Sequence, residues 1–122
     1  MESVELLNFA KQLDTTFEVQ ARSCVSRAYY CAYHETKKYI ENTLNIEVNR
    51  VKGGTHEKIS KTLMDDKNPQ LKGLGYKMVN FHARRVMADY QLQEDCSTDI
   101  AQEAIIECQK ILKILEQLSS KK

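Results

Sequence analysis

The sequence predicts an all-α fold, an antiparallel bundle of four to five helices, on three observations. Breakers are scarce, with one proline and four glycines in 122 residues. Alanine, leucine, lysine, glutamate and glutamine, which hold helical backbone at little entropic cost, are plentiful. Apolar residues recur at spacings of three and four along much of the chain. At this length one domain covering residues 1–122 is expected, with enough chain to bury a core without staples.

The elements follow in order. A first helix is expected over Ser3–Leu13, with Val4, Leu7 and Ala10, or Leu6 and Ala10, as its apolar side. Asp14-Thr15-Thr16 reads as a stop followed by a cap. A long second helix is expected over Phe17–Leu44, with Phe17, Ala21, Cys24, Ala28, Ala32 and Tyr39 as its apolar stripe. Residues 45–54 form a connector that ends in Gly53-Gly54, and Thr55 is placed to cap a short third helix reaching Met64. Asn68-Pro69 starts a fourth helix, since proline suits the first helical position, and that helix runs to about Leu92. After a short loop, Ser97 or Thr98 caps a fifth helix, whose stripe of Ala101, Ala104, Ile105, Cys108, Ile111, Leu112, Leu115 and Leu118 is the cleanest in the chain. The only low-complexity stretch is the polar tail Ser119-Ser120-Lys121-Lys122. Short connectors between amphipathic helices argue for antiparallel neighbours.

Charge and cysteine usage narrow the function. A formal net charge of +1 is far below that of domains gripping long nucleic acid nonspecifically, so any such contact is expected to be local and short. A homodimer would build a positive cleft from two half-sites. Cys24, Cys31, Cys96 and Cys108 show no Cys-x-x-Cys spacing and are expected to be reduced, mostly buried thiols. Cys24 and Cys31, seven apart on one helix, are too distant to bridge. The first residues lack the basic-then-apolar pattern of a signal peptide, and no apolar run is long enough to span a membrane. A soluble cytoplasmic protein without membrane contact is expected.

Two places carry chemistry. Seven residues at about 100° each bring His34 to within roughly 20° of Arg27, so a fixed cation and a titratable base share one side of the second helix. That side lies about 100° from the apolar stripe, a flank position. On the fourth helix His82, Arg85 and Asp89 fall within about 80° of Leu71, on the same face as Leu74, Met78 and Phe81. Arg85 and Asp89 are four apart and pair well, either as a structural ion pair or as a phosphate-binding arginine oriented by a carboxylate. His34, His56 and His82 lack ligand spacing on any one helix, so neither metal nor cofactor is assigned. No Gly-rich phosphate loop, Gly-x-Ser-x-Gly or His-Glu-x-x-His is present.

Ser26-Arg27-Ala28-Tyr29-Tyr30 with His34, then Gly54-Thr55-His56, then Arg85-Val86-Met87-Ala88-Asp89-Tyr90 occur in an order and at distances that are familiar together. The chain resembles the HEPN domains (higher eukaryotes and prokaryotes nucleotide-binding), small all-helical bacterial and archaeal proteins, over nearly its whole length. The resemblance implies a bundle of four or five helices, commonly a homodimer. Many members are metal-independent endoribonucleases of toxin–antitoxin, anti-phage and CRISPR systems, marked by an arginine followed after four to six residues by a histidine. Arg27 and His34, six residues between them, fit that hallmark. In the family's ribonuclease toxins the motif lies late in the chain. Here the matching place has Arg84 followed after four residues by Asp89, a carboxylate where the histidine would stand.

The resemblance therefore implies Arg27 and His34 as a catalytic pair and an RNA 2′-hydroxyl attacking the adjacent phosphate to leave a 2′,3′-cyclic phosphate. Histidine suits the proton transfer because it titrates near working pH. Arginine suits the phosphate because its planar fork stays charged and bonds two oxygens at once. Removing one such donor typically costs about 3–4 kcal/mol. Tyr30, one turn from both, with Arg84 and Arg85, is expected to bind substrate, and Asp89 and Tyr90 to be structural or orienting. One histidine is thin for acid and base roles together, so a second copy across a dimer axis would help. The alternative is a non-catalytic HEPN module that binds a nucleotide or partners a nucleotidyltransferase-like or antitoxin protein.

Overall fold

Helices form where the apolar periodicity places them, and their order is α1 (Val4–Gln12), α2 (Glu18–Asn42), a single 3₁₀ turn (Val48–Arg50), α3 (Thr55–Met64), α4 (Pro69–Tyr90) and α5 (Thr98–Ser120). The computed structural model describes residues 1–120, and no strand occurs among them. Of the polar tail, Ser119 and Ser120 belong to α5, while Lys121 and Lys122 lie outside the described residues.

The 25-residue α2 is the axis of the bundle and packs against all four other helices. It is therefore buried along two stripes. One is the expected Ala21, Cys24, Ala28, Ala32 and Tyr39, and the other is Arg22, Val25, Tyr29, Tyr33, Thr36 and Ile40. Phe17 departs from expectation: it is 59% exposed. It sits at the N-cap in extended backbone (φ −92°, ψ 124°), one residue before the helix, so helical phase does not carry it to the core. On α5 the expected stripe holds, with every member buried except the half-buried Leu112.

The caps show which side chains end each helix. Asp14 Oδ1 accepts from the backbone N–H of Thr16 at 3.1 Å and from its hydroxyl at 2.5 Å, closing a turn rather than capping α2. Gly54, not Thr55, is the N-cap of α3, and Thr55 is the first helical residue. α4 starts at Asn68-Pro69 as expected, with Pro69 at the first helical position, and the Asn68 side chain caps it, its Oδ1 accepting from Gln70 N–H at 2.9 Å. Ser97 Oγ accepts from Ile100 N–H at 3.3 Å at the start of α5, while the Thr98 hydroxyl donates to the Thr15 carbonyl at 2.8 Å and ties α5 to the α1–α2 turn.

The end of α4 is held from outside the helix. Its last turn has no basic residue. Arg22 of α2, only 8% exposed, reaches it instead. Its Nη1 donates to the carbonyls of Met87 (3.1 Å), Ala88 (3.0 Å) and Gln91 (3.3 Å), and its Nη2 to those of Leu92 (3.4 Å) and Glu94. Glu18 accepts from the same guanidinium at 2.8 and 3.0 Å. Carbonyls at a helix end have no partner within the helix, and a five-donor fork suits them. α4 meets α3 closely at Gly75, where a Cβ would come within 2.6 Å of Met64 Cγ and 3.1 Å of the Ser60 carbonyl oxygen.

Candidate functional site

The second buried stripe of α2 faces α4 and α3, and the chemistry gathers along that seam. α2 supplies Ser26, Arg27, Tyr29, Tyr30, Tyr33 and His34, α3 supplies His56 from its first turn, and α4 supplies His82, Arg85, Asp89 and Tyr90.

Tyr30 is the hub. The guanidinium carbons of Arg27 and Arg85 lie 5.4 and 5.1 Å from its ring centroid, both cation–π distances. The rings of His34 and His56 lie 6.3 and 5.9 Å from it. Arg85 also lies 5.3 Å from the ring of Tyr90, which is 68% exposed. A hydrogen-bond chain runs beneath the hub. Arg85 Nε donates to Asp89 Oδ2 at 2.7 Å, the Ser26 hydroxyl donates to the same oxygen at 3.1 Å, and Arg27 Nη2 donates to Ser26 Oγ at 3.3 Å. The expected Arg85–Asp89 pair thus forms and is joined to Arg27 through Ser26. Burial disfavours the Arg85 charge, but Tyr30, Asp89 and Tyr90 outweigh it and keep the guanidinium firmly protonated. Among the described residues Nε–Asp89 is the only hydrogen bond of Arg85, which leaves both terminal nitrogens for a ligand.

The sequence-predicted residues fare differently. Arg27 is half-buried and His34 exposed, as flank positions allow, and they meet through Tyr30 rather than through a direct bond. His34 also packs against Tyr33, with centroids 5.2 Å apart. Arg84 is exposed and makes no side-chain hydrogen bond, ion pair or ring contact with the described residues of this cluster. Its neighbour Arg85 occupies the inner face instead, as one step of about 100° requires.

Two histidines with no ligand spacing come together across helices. The rings of His56 and His82 stack with centroids 4.3 Å apart and planes 23° from parallel. Both pack on Tyr29, which is 1% exposed. Its hydroxyl lies 2.7 Å from His56 Nδ1. Burial, the adjacent His82 and Arg85 push His56 down to about 4, so it is neutral at physiological pH. Burial and Arg85 also lower His82. Burial, with Tyr33 and Tyr30 nearby, raises Tyr29 above the usual phenol range. The available signal was the combination of His82 on the apolar face of α4 with His56 just after Gly53-Gly54. Neither residue reports the other, because 26 positions and a helix crossing separate them.

The cluster runs from buried Tyr29, 1% exposed, out to Tyr90, 68% exposed. A 370 Å³ cavity between α1, α2 and α5, lined by Val4, Tyr39, Leu112 and Leu115 among others, contains none of its groups. His34 lines a separate 320 Å³ cavity with Leu6, Glu35 and Lys38. Among the described residues no three His, Cys, Asp or Glu side chains converge as metal ligands, and no helix is long and apolar enough to cross a membrane. All four cysteines are buried and unpaired; burial, with Cys96 beside it, pushes the Cys24 thiol up to about 11. Compared with protein-family models, with curated proteins and with solved structures, the chain matches none of them.

Proposed function

We propose that this chain is a metal-independent endoribonuclease of HEPN type, acting as a homodimer in a toxin–antitoxin or defence setting. The observation that carries the reading is the placement of two guanidinium groups on one tyrosine ring, Arg27 at 5.4 Å and Arg85 at 5.1 Å, with His34 beside the same ring. Arg27 and Arg85 hold the scissile phosphate, with Asp89 and Ser26 fixing the two forks. Tyr30 holds the two guanidinium groups together on its ring and offers its hydroxyl to the phosphate. His34, the exposed imidazole, handles the proton. The 2′-oxygen bonds to phosphorus as its proton leaves to the base, the P–O5′ bond breaks, and the departing 5′-oxygen takes a proton. The products are a 2′,3′-cyclic phosphate and a 5′-hydroxyl. A near-neutral chain suits a contact of a few nucleotides.

One observation favours the second reading, a binding module without chemistry. Arg85, Asp89, Ser26 and Arg27 already bond to one another in one continuous internal chain, a pattern that serves packing as well as catalysis. Incubation of the pure protein with mixed RNA in EDTA separates the two. Cleavage that is lost in both Arg27→Ala and His34→Ala, with folding intact, supports the nuclease. No cleavage at any protein concentration, with a clean dimer in solution, supports a module that binds a nucleotide or a nucleotidyltransferase-like or antitoxin partner.

A further inference from the structure

The Tyr29–His56 pair has no part in the reading above, yet its geometry is more constrained than that of His34. The Tyr29 hydroxyl is buried, and among the described residues His56 Nδ1, at 2.7 Å, is its only hydrogen-bond partner. A buried hydroxyl without another acceptor must give its proton to that partner, because an orphaned O–H would cost more than the bond is worth. Nδ1 is then the acceptor, and a neutral imidazole carries its remaining proton on Nε2. No buried side-chain nitrogen or oxygen lacks a partner among the described residues, so Nε2, which makes no bond of its own, has solvent access. The ring cannot turn freely, since His82 stacks on one face and Tyr29, Tyr30 and Tyr33 pack around it with centroids 5.1–5.9 Å away.

We infer that His56 is a fixed hydrogen-bond donor of this site, its Nε2–H aimed at a non-bridging phosphate oxygen beside Arg85, with Tyr29 as the positioning residue that locks its tautomer. The inference rests on the nuclease reading, because it needs a phosphodiester on the Tyr30 seam. The role is that of a neutral electrophile, not of a proton carrier. A neutral imidazole adds a directed donor without adding a third charge next to Arg27 and Arg85. The same surroundings that hold His56 neutral, namely burial, His82 and Arg85 from α4 and the tyrosines of α2, make it a poor base. That leaves the proton to His34 and assigns the two imidazoles different work.

The test compares RNA cleavage in EDTA by the parent, His56→Ala, His56→Gln and Tyr29→Phe, with pH–rate profiles, and reads the His56 tautomer in the parent by nitrogen-15 NMR. Glutamine keeps an N–H donor and cannot titrate. The expected result is a loss of about 10²–10³-fold in kcat for His56→Ala. His56→Gln stays within about tenfold of the parent with an unchanged pH profile. In the parent the NMR spectrum shows the Nε2–H form, and Tyr29→Phe releases it. If the parent cleaves and His56→Gln falls as far as His56→Ala, or loses one limb of the pH profile, His56 is a proton carrier and the inference is overturned. A protonated Nδ1 overturns it as well, whatever the kinetics. If the parent does not cleave, the nuclease reading fails and takes this inference with it.

Discussion

Arg22→Met is expected to destabilise the fold by several kcal/mol although it touches nothing in the proposed site. The guanidinium serves five carbonyls at and beyond the end of α4 and the carboxylate of Glu18. Bonds to a charged donor contribute about 1.5–3 kcal/mol each, but those made here share Nη1 and Nη2, so they count as about two full bonds, or roughly 3–6 kcal/mol in all. The Glu18 contact adds little, because that side chain is half exposed (50%) and its attraction is screened. Methionine keeps most of the apolar volume, which separates the lost bonds from a cavity effect. Arg22→Lys, a point charge that reaches fewer carbonyls at once, is expected to cost less, about 1–2 kcal/mol. Urea unfolding followed by far-UV circular dichroism measures both, and an unchanged m-value shows that the unfolded state is the same. A methionine variant within about 1 kcal/mol of the parent would refute the clamp, since that is the range of an ordinary surface change.

His56 titrates near 6.5 when unfolded and is held down to about 4 in the fold, so the unfolded state binds the extra proton between those values. Stability is therefore full above about pH 6.5 and declines as pH falls toward 4, by about 1–2 kcal/mol after discounting for partial exposure; urea midpoints from pH 7 to 4 measure it, and His56→Gln should flatten that decline. Gly75→Ala should destabilise by about 1–3 kcal/mol because its Cβ meets Met64 and the Ser60 carbonyl. Gly73→Ala, with nothing within 4 Å, should be neutral or stabilise by up to about 1 kcal/mol, and thermal melts of the two variants give the contrast. A thiol-reactive chromophore should label none of the four cysteines in the native protein and all of them in denaturant; fast native labelling would contradict their burial.

Much of this was legible because it is periodic. The α5 stripe, the Asn68-Pro69 start and the Arg85–Asp89 pair all depend on spacing along one helix, which the sequence states directly. Phe17 was misread because an amphipathic pattern continues smoothly through a cap, where the backbone has already left helical phase. The second buried stripe of α2 was missed for another reason. A helix packed by neighbours on several sides buries residues that a single-stripe reading assigns to the flank, and Tyr29, Tyr33 and Arg22 belong to that second stripe. Arg22 in particular looks like a surface cation until the carbonyls of α4, some 65 residues away in sequence, are brought to it. The His56–His82 stack is of the same kind, since its partners sit on different helices and only tertiary structure joins them. Arg27 and His34 were correctly placed on one side of α2, but Tyr30, one turn from each, proves to be what connects them.

The central claim is that the Tyr30 seam cleaves RNA by attack of its own 2′-hydroxyl. Its most direct test is a short RNA carrying a single 2′-deoxy nucleotide on the 5′ side of a mapped cleavage position, incubated with the parent protein in EDTA. The account predicts that cleavage stops at that position alone, and that the unmodified control yields fragments ending in a 2′,3′-cyclic phosphate and beginning with a 5′-hydroxyl. Continued cleavage at the deoxy position, or fragments beginning with a 5′-phosphate, would contradict it.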